Sequence, residues 1–199
     1  MNVNKTRQEL VSAARKLFGK TGLKNTTMHD IAVESRKGRR TLYTYFKNKN
    51  EILDAVIAEE MEYVIKAVEK VVYLDLDPVE KFITYVITRM NTVREVVARN
   101  GSLHADFFMD VVRVELVRRK MEKLEVGFIE TIFQEGCDSN LFHFEDVKQA
   151  AIFGHFVMRG IEVPYIRGIF DEPGKDRDES LRRKTMIILY GLLNSDQIK

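Results

Sequence analysis

The chain has 199 residues, 45% of them apolar, which is enough for a folded core, and no apolar run approaches the ~20 residues of a membrane span. Its first residues lack the basic-then-apolar pattern of a secretory signal, and its one cysteine, Cys137, cannot close an internal disulfide, so a reducing cytoplasm is the expected location. The net charge of +2 conceals a split: residues 1–50 carry twelve Lys and Arg against three Asp and Glu, a balance of +9, while the remainder carries twenty against twenty-seven, a balance of −7. A cationic head on an acidic body is the electrostatic footprint of polyanion binding.

Apolar spacing is helical nearly everywhere, and no period-two alternation bounded by turn signals predicts a strand. The first helix is predicted over about Lys5 to Lys20, with Leu10, Ala13, Ala14, Leu17 and Phe18 on one face and Gly22 just past its end. A short second helix begins at Thr27, where Thr27-Met28-His29-Asp30 spells a capping box. A third covers roughly Arg39 to Phe46. The fourth starts after Asn48, its cap, with Glu51 three residues on, and runs to about Val72. Asp77-Pro78-Val79-Glu80 opens a fifth helix that breaks at Asn100-Gly101. A short helix near Leu103–Asp110 and a long one near Val112–Glu135 follow, the latter ended by Gly136 and Asp138-Ser139-Asn140. Two more, about Glu145–Phe170 and Asp178–Asn194, flank the loop Asp171-Glu172-Pro173-Gly174, and Pro164 should kink or interrupt the first of them. The expected fold is all-α with about nine helices. Residues 1–48 are expected to form a nucleic-acid-binding head, and residues 49–199 a ligand-binding and dimerisation domain.

The second and third helices carry the functional signal. Two short helices joined by a tight turn, the second of them basic, describe a helix-turn-helix. Ala32 is small where the two helices cross, and Ile31, Leu42 and Phe46 fall on faces that pack toward the first helix. The opposite face of the third helix then presents Arg39, Arg40, Thr41, Tyr43, Thr44 and Tyr45. Arginine forks onto guanine in the major groove, and Thr and Tyr hydroxyls bond phosphates or base edges. The helix starts at Thr27 and Lys49 offer free backbone N–H groups to a phosphate.

Three segments in register, Thr26-Thr27-Met28-His29-Asp30-Ile31-Ala32, Thr41-Leu42-Tyr43-Thr44-Tyr45-Phe46 and Lys49-Asn50-Glu51-Ile52-Leu53, resemble the DNA-binding signature of the tetracycline-repressor (TetR) family. Both gaps match without insertion. The resemblance implies phosphate contacts from Thr27, Tyr43, Tyr45 and Lys49, base reading by Arg39, Arg40, Thr41 and Thr44, and core roles for Leu42 and Phe46. One departure stands out: Arg36 occupies the turn position where the family usually has glycine. If Arg36 keeps the left-handed conformation it costs about 1–2 kcal/mol. The alternative is a turn rebuilt around Gly38, with Lys37 joining the contact set.

The body is expected to form a homodimer. The last helix, Thr185 to Leu193, is apolar almost all round, and the helix before it offers Ala150, Ala151, Gly154 and Gly160 for close approach. The resemblance implies a four-helix interface and a palindromic double-stranded DNA operator. Tyr63, Phe82, Tyr85, Phe107, Phe108, Phe128, Phe153 and Phe156 are either ordinary core or, as a group, the lining of a site for an apolar or aromatic effector. Arg89 shares a helical face with Phe82 and Tyr85, and either neutralises an acidic ligand or pairs with a surface acid. His104 and His155 lack metal-ligand spacing, so neither a metal nor a cofactor is expected.

Enzyme motifs are missing. There is no G-x-S-x-G elbow and no H-E-x-x-H helix, and the nearest phosphate-loop approximation, Gly168 to Gly174-Lys175, has one residue too many and Asp176 where Ser or Thr is required. The expected function is that of a DNA-binding transcriptional regulator, a repressor released by a small molecule. The alternatives are a regulator or adaptor without an effector, or an activator.

Overall fold

The structure, a computed structural model, describes residues 3–100 and 111–193, with side chains described for residues 5–100, 119 and 121–189. The described residues form eight helices: α1 (Val3–Thr21), α2 (Met28–Glu34), α3 (Arg39–Tyr45), α4 (Lys49–Val72), α5 (Pro78–Arg99), α6 (Val111–Asp138), α7 (Val147–Ile166) and α8 (Arg177–Leu193). The all-α expectation holds, and the short helix expected near 103–110 lies outside the described residues. The chain divides into two units. One holds Met1–Tyr63 and Glu95–Met121, the other Val64–Arg94 and Glu122–Lys199, so α4, α5 and α6 each contribute to both.

In the first unit, Leu10, Val11, Ala14 and Phe18 of α1 bury against Ile31, Ala32, Leu42 and Phe46, and against Ile52, Leu53 and Val56 of α4. The i, i+4 spacing along α1 lines these residues on one stripe. Gly22 ends α1 with φ of 82°, its N–H donating to Phe18 O at 3.0 Å, a left-handed cap that glycine adopts without steric cost. A second apparatus holds α1 to α4 and to the end of α5. Glu60 is fully buried, lies 2.8 Å from Arg15 Nε in an ionic contact out of line for a hydrogen bond, and is paired with Arg99.

The second unit is organised around Phe133 of α6. Its ring lies 4.9 Å from Phe82, 4.9 Å from Phe144 and 5.7 Å from the edge-on ring of Phe142. Such tilted and edge-to-face pairs add to area burial. The sequence placed the end of α6 near Glu135, at Gly136 and Asp138-Ser139-Asn140; the helix runs through Gly136 to Asp138. Gly136 is there for space, since a Cβ would come within 2.1 Å of the Phe142 ring. Asn140 makes the stop, with φ of 59° and Leu141 N–H donating back to Gly136 O at 2.8 Å. Pro164 is tolerated in the last turn of α7, which ends two residues later at Ile166, and Gly168 just beyond it has φ of 71°.

Candidate nucleic-acid interface

Helix α2 starts as its sequence indicates. Thr27 Oγ1 accepts from Asp30 N–H at 3.2 Å, and Asp30 Oδ2 accepts from Thr27 N–H at 2.9 Å and from the Thr27 hydroxyl at 2.7 Å. The Thr27 hydroxyl and N–H together hold the Asp30 carboxyl below the usual carboxylate range. A cost of this box is that the Thr27 and Asp30 N–H groups are already spent, which leaves those of Met28 and His29 between them in the first turn.

The turn before α3 is built on Arg36, which takes φ of 53°. Its N–H donates to Val33 O and the Lys37 N–H to Ala32 O, both at 3.0 Å, the pair of bonds that closes a helix end on a left-handed residue. Gly38 has φ of −66° and serves as the extended N-cap of α3. The turn is therefore not rebuilt around Gly38; Arg36 keeps the glycine-type conformation and bears its strain. The start of α3 follows at Arg39.

Leu42 and Phe46 face inward, and Arg7 stacks on the Phe46 ring with 5.3 Å from guanidinium to centroid. Arg39, Arg40, Tyr43 and Thr44 are exposed, while Thr41 and Tyr45 are half-buried. The Thr44 hydroxyl donates to Arg40 O at 2.9 Å, which leaves its oxygen lone pairs and methyl outward. Tyr45 packs against the head core, so only part of it is available to a ligand.

Two cations are held more tightly than their sequence positions suggest. Lys49 Nζ donates to Leu23 O at 2.5 Å and to Thr26 O at 2.9 Å, clamping the α1–α2 loop to the start of α4. Lys37 Nζ sits 2.6 Å from Glu9 Oε2 of α1, and that contact holds the Glu9 carboxyl below its ordinary range. Sequence reasoning missed Glu9 and Arg7, since no local pattern links α1 to a turn or a ring some thirty residues on.

The residues expected to line an effector site are dispersed. Phe82 and Tyr85 are buried in the second unit, with Phe128 packed on the same core. Arg89 is buried beside them, and its partners are internal acids, Glu125 and Glu162. Phe153 and Phe156 are exposed on α7. Tyr63 falls in the first unit, its hydroxyl donating to Glu95 Oε1 at 3.1 Å and its ring lying under Arg99. Phe107 and Phe108 lie outside the described residues.

A three-helix head whose third helix exposes Arg39, Arg40, Tyr43 and Thr44 defines a helix-turn-helix protein. Residues 10–56 match the family described as bacterial regulatory proteins, tetR family. Along most of its length the chain is similar to YhgD, an HTH-type transcriptional regulator of Bacillus subtilis (strain 168), with 26% identity over 92% of this chain and 94% of that one. Its fold is that of a transcriptional regulator from Cytophaga hutchinsonii (TM-score 0.70, 24% identity, 94% of this chain and 96% of that one). It is also that of a TetR/AcrR-family regulator from Thermobifida fusca YX-ER1 (TM-score 0.68, 17% identity, 94% and 98%). Residues 10–56 thus form a helix-turn-helix head of the tetR type, and over most of its length the chain is similar to HTH-type transcriptional regulators.

Proposed function

We propose that the protein is a dimeric repressor that binds a palindromic operator through residues 1–48 and is released by a small molecule held in residues 49–199. The observation that carries the DNA-binding part is the solvent face of α3. Arg39, Arg40, Tyr43 and Thr44 stand exposed on a helix whose other side, Leu42, is fully buried. Arg39 and Arg40 open the helix with no acid in its first turn to answer them. A cation at a helix start is unfavourable, so an external anion is the natural partner. In this reading Arg39, Arg40, Thr41 and Thr44 read bases, Thr27, Tyr43 and Tyr45 touch phosphates, and Lys37 and Lys49 shape the head from their carboxylate and carbonyl partners as well as adding positive charge.

The dimer reading rests on α7 and α8. One face of α7 is buried through Ala151, Gly154, Met158 and Tyr165, whereas Phe153, Phe156 and Gly160 on another face are exposed. On α8, Leu181, Thr185 and Leu189 bury one stripe while Ile187 is 72% exposed. Exposed Phe and Ile on adjacent helices fit burial against a second copy. A two-fold dimer sets the two α3 helices about 34–36 Å apart, one turn of duplex.

Selection of bound duplexes from a random pool at one stated salt concentration tests the reading. The expected product is a palindrome with half-sites about 10 base pairs apart. Enrichment of no sequence, with salt-sensitive binding to every duplex, would remove the operator.

A further inference from the structure

Among the described residues of the first unit, Arg36 is the one non-glycine residue with a positive φ. At 53° its Cβ crowds the backbone, a cost that glycine escapes. The backbone of the turn is held by the two bonds that close α2, from Arg36 N–H to Val33 O and from Lys37 N–H to Ala32 O, both 3.0 Å. A glycine would make the same two bonds without strain. What distinguishes Arg36 from such a glycine is its side chain. A strained residue held in place by its surroundings is a pointer to function.

Inside the chain that side chain has little to do. It is exposed, and among the described residues its guanidinium makes no hydrogen bond or ion pair. It attracts Glu34 only at a distance, and that carboxylate is already held by Lys16 at 2.5 Å and drawn by Lys20. The negative end of α2 favours a cation there, but Lys37 stands at the same end. The charges around Arg36 are alike. Four of the five residues 36–40 are cationic, and among the described residues only Lys37 meets an acid, Glu9, at 2.6 Å. Like charges so close repel weakly in water, all in the same direction. A polyanion laid against the turn reverses the sign of each of these interactions.

Chain length sets where such a contact falls. Three residues separate Arg36 from Arg39, so their α carbons lie at most about 11 Å apart. The major groove is about 12 Å wide. With Arg39 and Arg40 in the groove, Arg36 lies within one groove width of them, and phosphates line that rim. We propose that Arg36 is a further DNA contact, a phosphate-binding arginine at the rim of the groove that α3 enters, and that the left-handed turn carries a side chain for this contact. The inference rests on the DNA-binding reading above and adds a residue to it. It assigns Arg36 to affinity for any duplex and not to the choice of sequence, because phosphates carry no base information.

The test uses the full chain and three variants, Arg36→Gly, Arg36→Asn and Arg36→Lys. Each is titrated onto a random-sequence duplex over a series of salt concentrations and unfolded in urea. Glycine and asparagine both tolerate the left-handed turn, so these two variants should be no less stable than the parent. Both should nevertheless bind the duplex about five- to tenfold more weakly for each head engaged at about 0.1 M salt. The slope of log affinity against log salt should become shallower by about 0.9 per head. Arg36→Lys keeps the charge and should keep the parental slope. Undiminished stability with weaker, less salt-sensitive binding is a combination that a purely structural side chain does not give. A parental slope in Arg36→Gly, a loss in Arg36→Lys as large as in Arg36→Gly, or a lower urea midpoint in both neutral variants would each overturn the inference. With the parent still binding duplex, those outcomes leave the DNA-binding reading intact. A parent that binds no duplex at any salt concentration overturns both.

Discussion

The Lys37 N–H donates to the carbonyl of Ala32 at 3.0 Å, spanning a left-handed Arg36. This bond sets the angle at which α3 leaves α2, and it requires a conformation that costs a side chain about 1–2 kcal/mol. Arg36→Gly removes that strain but adds unfolded-state entropy of about 0.5–1 kcal/mol. The expected net gain is about 0.5–1 kcal/mol, read as a higher urea midpoint with unchanged slope. An equal or lower midpoint would show that the exposed Arg36 side chain contributes more than its backbone costs.

On α3, Arg40→Ala should weaken operator binding by about 1–3 kcal/mol and relax one base preference, if that arginine forks onto guanine. Lys49 gives a different signature. Its ammonium holds Leu23 O and Thr26 O, so Lys49→Met should lower stability by about 1 kcal/mol and weaken binding evenly across sequences. Competition against a panel of point-mutant sites separates the two. A Lys49→Met protein of parental stability would mean that the clamp contributes nothing.

Among the described residues of the first unit, Glu60 is the most deeply buried acid, between Arg15 and Arg99. Removing one partner of a buried pair costs about 3–5 kcal/mol when the survivor stays dry. Here both arginines are about a third exposed and can rehydrate, so Glu60→Ala should cost about 2 kcal/mol. Chemical denaturation measures it, and a loss below about 0.5 kcal/mol would place this contact among ordinary surface pairs.

His155 predicts an acid-side slope. Its folded-state pKa lies below its unfolded value because burial opposes the charge. Between those two values the unfolded chain binds the extra proton, so the stabilising contribution is complete above about 6.5 and is lost as pH falls through that window. Stability measured from pH 7.5 downward should decline more steeply for the parent than for His155→Gln. Parallel profiles would exclude His155 as the source.

Ile187 is the sharpest probe of self-association. Ile187→Arg places a charge on an apolar position that is 72% exposed in the single chain, so a monomer would tolerate it within about 0.5 kcal/mol. A dimer buried there would dissociate. Analytical ultracentrifugation should show the parent at twice the 23.2 kDa chain mass and the variant at that mass.

The sequence alone determined the head, because its signals are local. A capping box is four residues long, a helix stripe repeats every three or four, and the register from Thr26 to Leu53 has no insertion, so α2, α3 and the start of α4 were legible within a residue. Even the odd residue of the turn was visible, and the tertiary structure only decided that Arg36, not Gly38, bears the positive φ. What the sequence could not hold is long-range pairing. Lys49 meets the loop 23 and 26 residues before it, and Arg89 finds Glu125 and Glu162 across 36 and 73 residues. No periodicity encodes which acid answers which base. That choice is made when helices pack and water leaves, since only then does an uncompensated charge become expensive enough to select its partner.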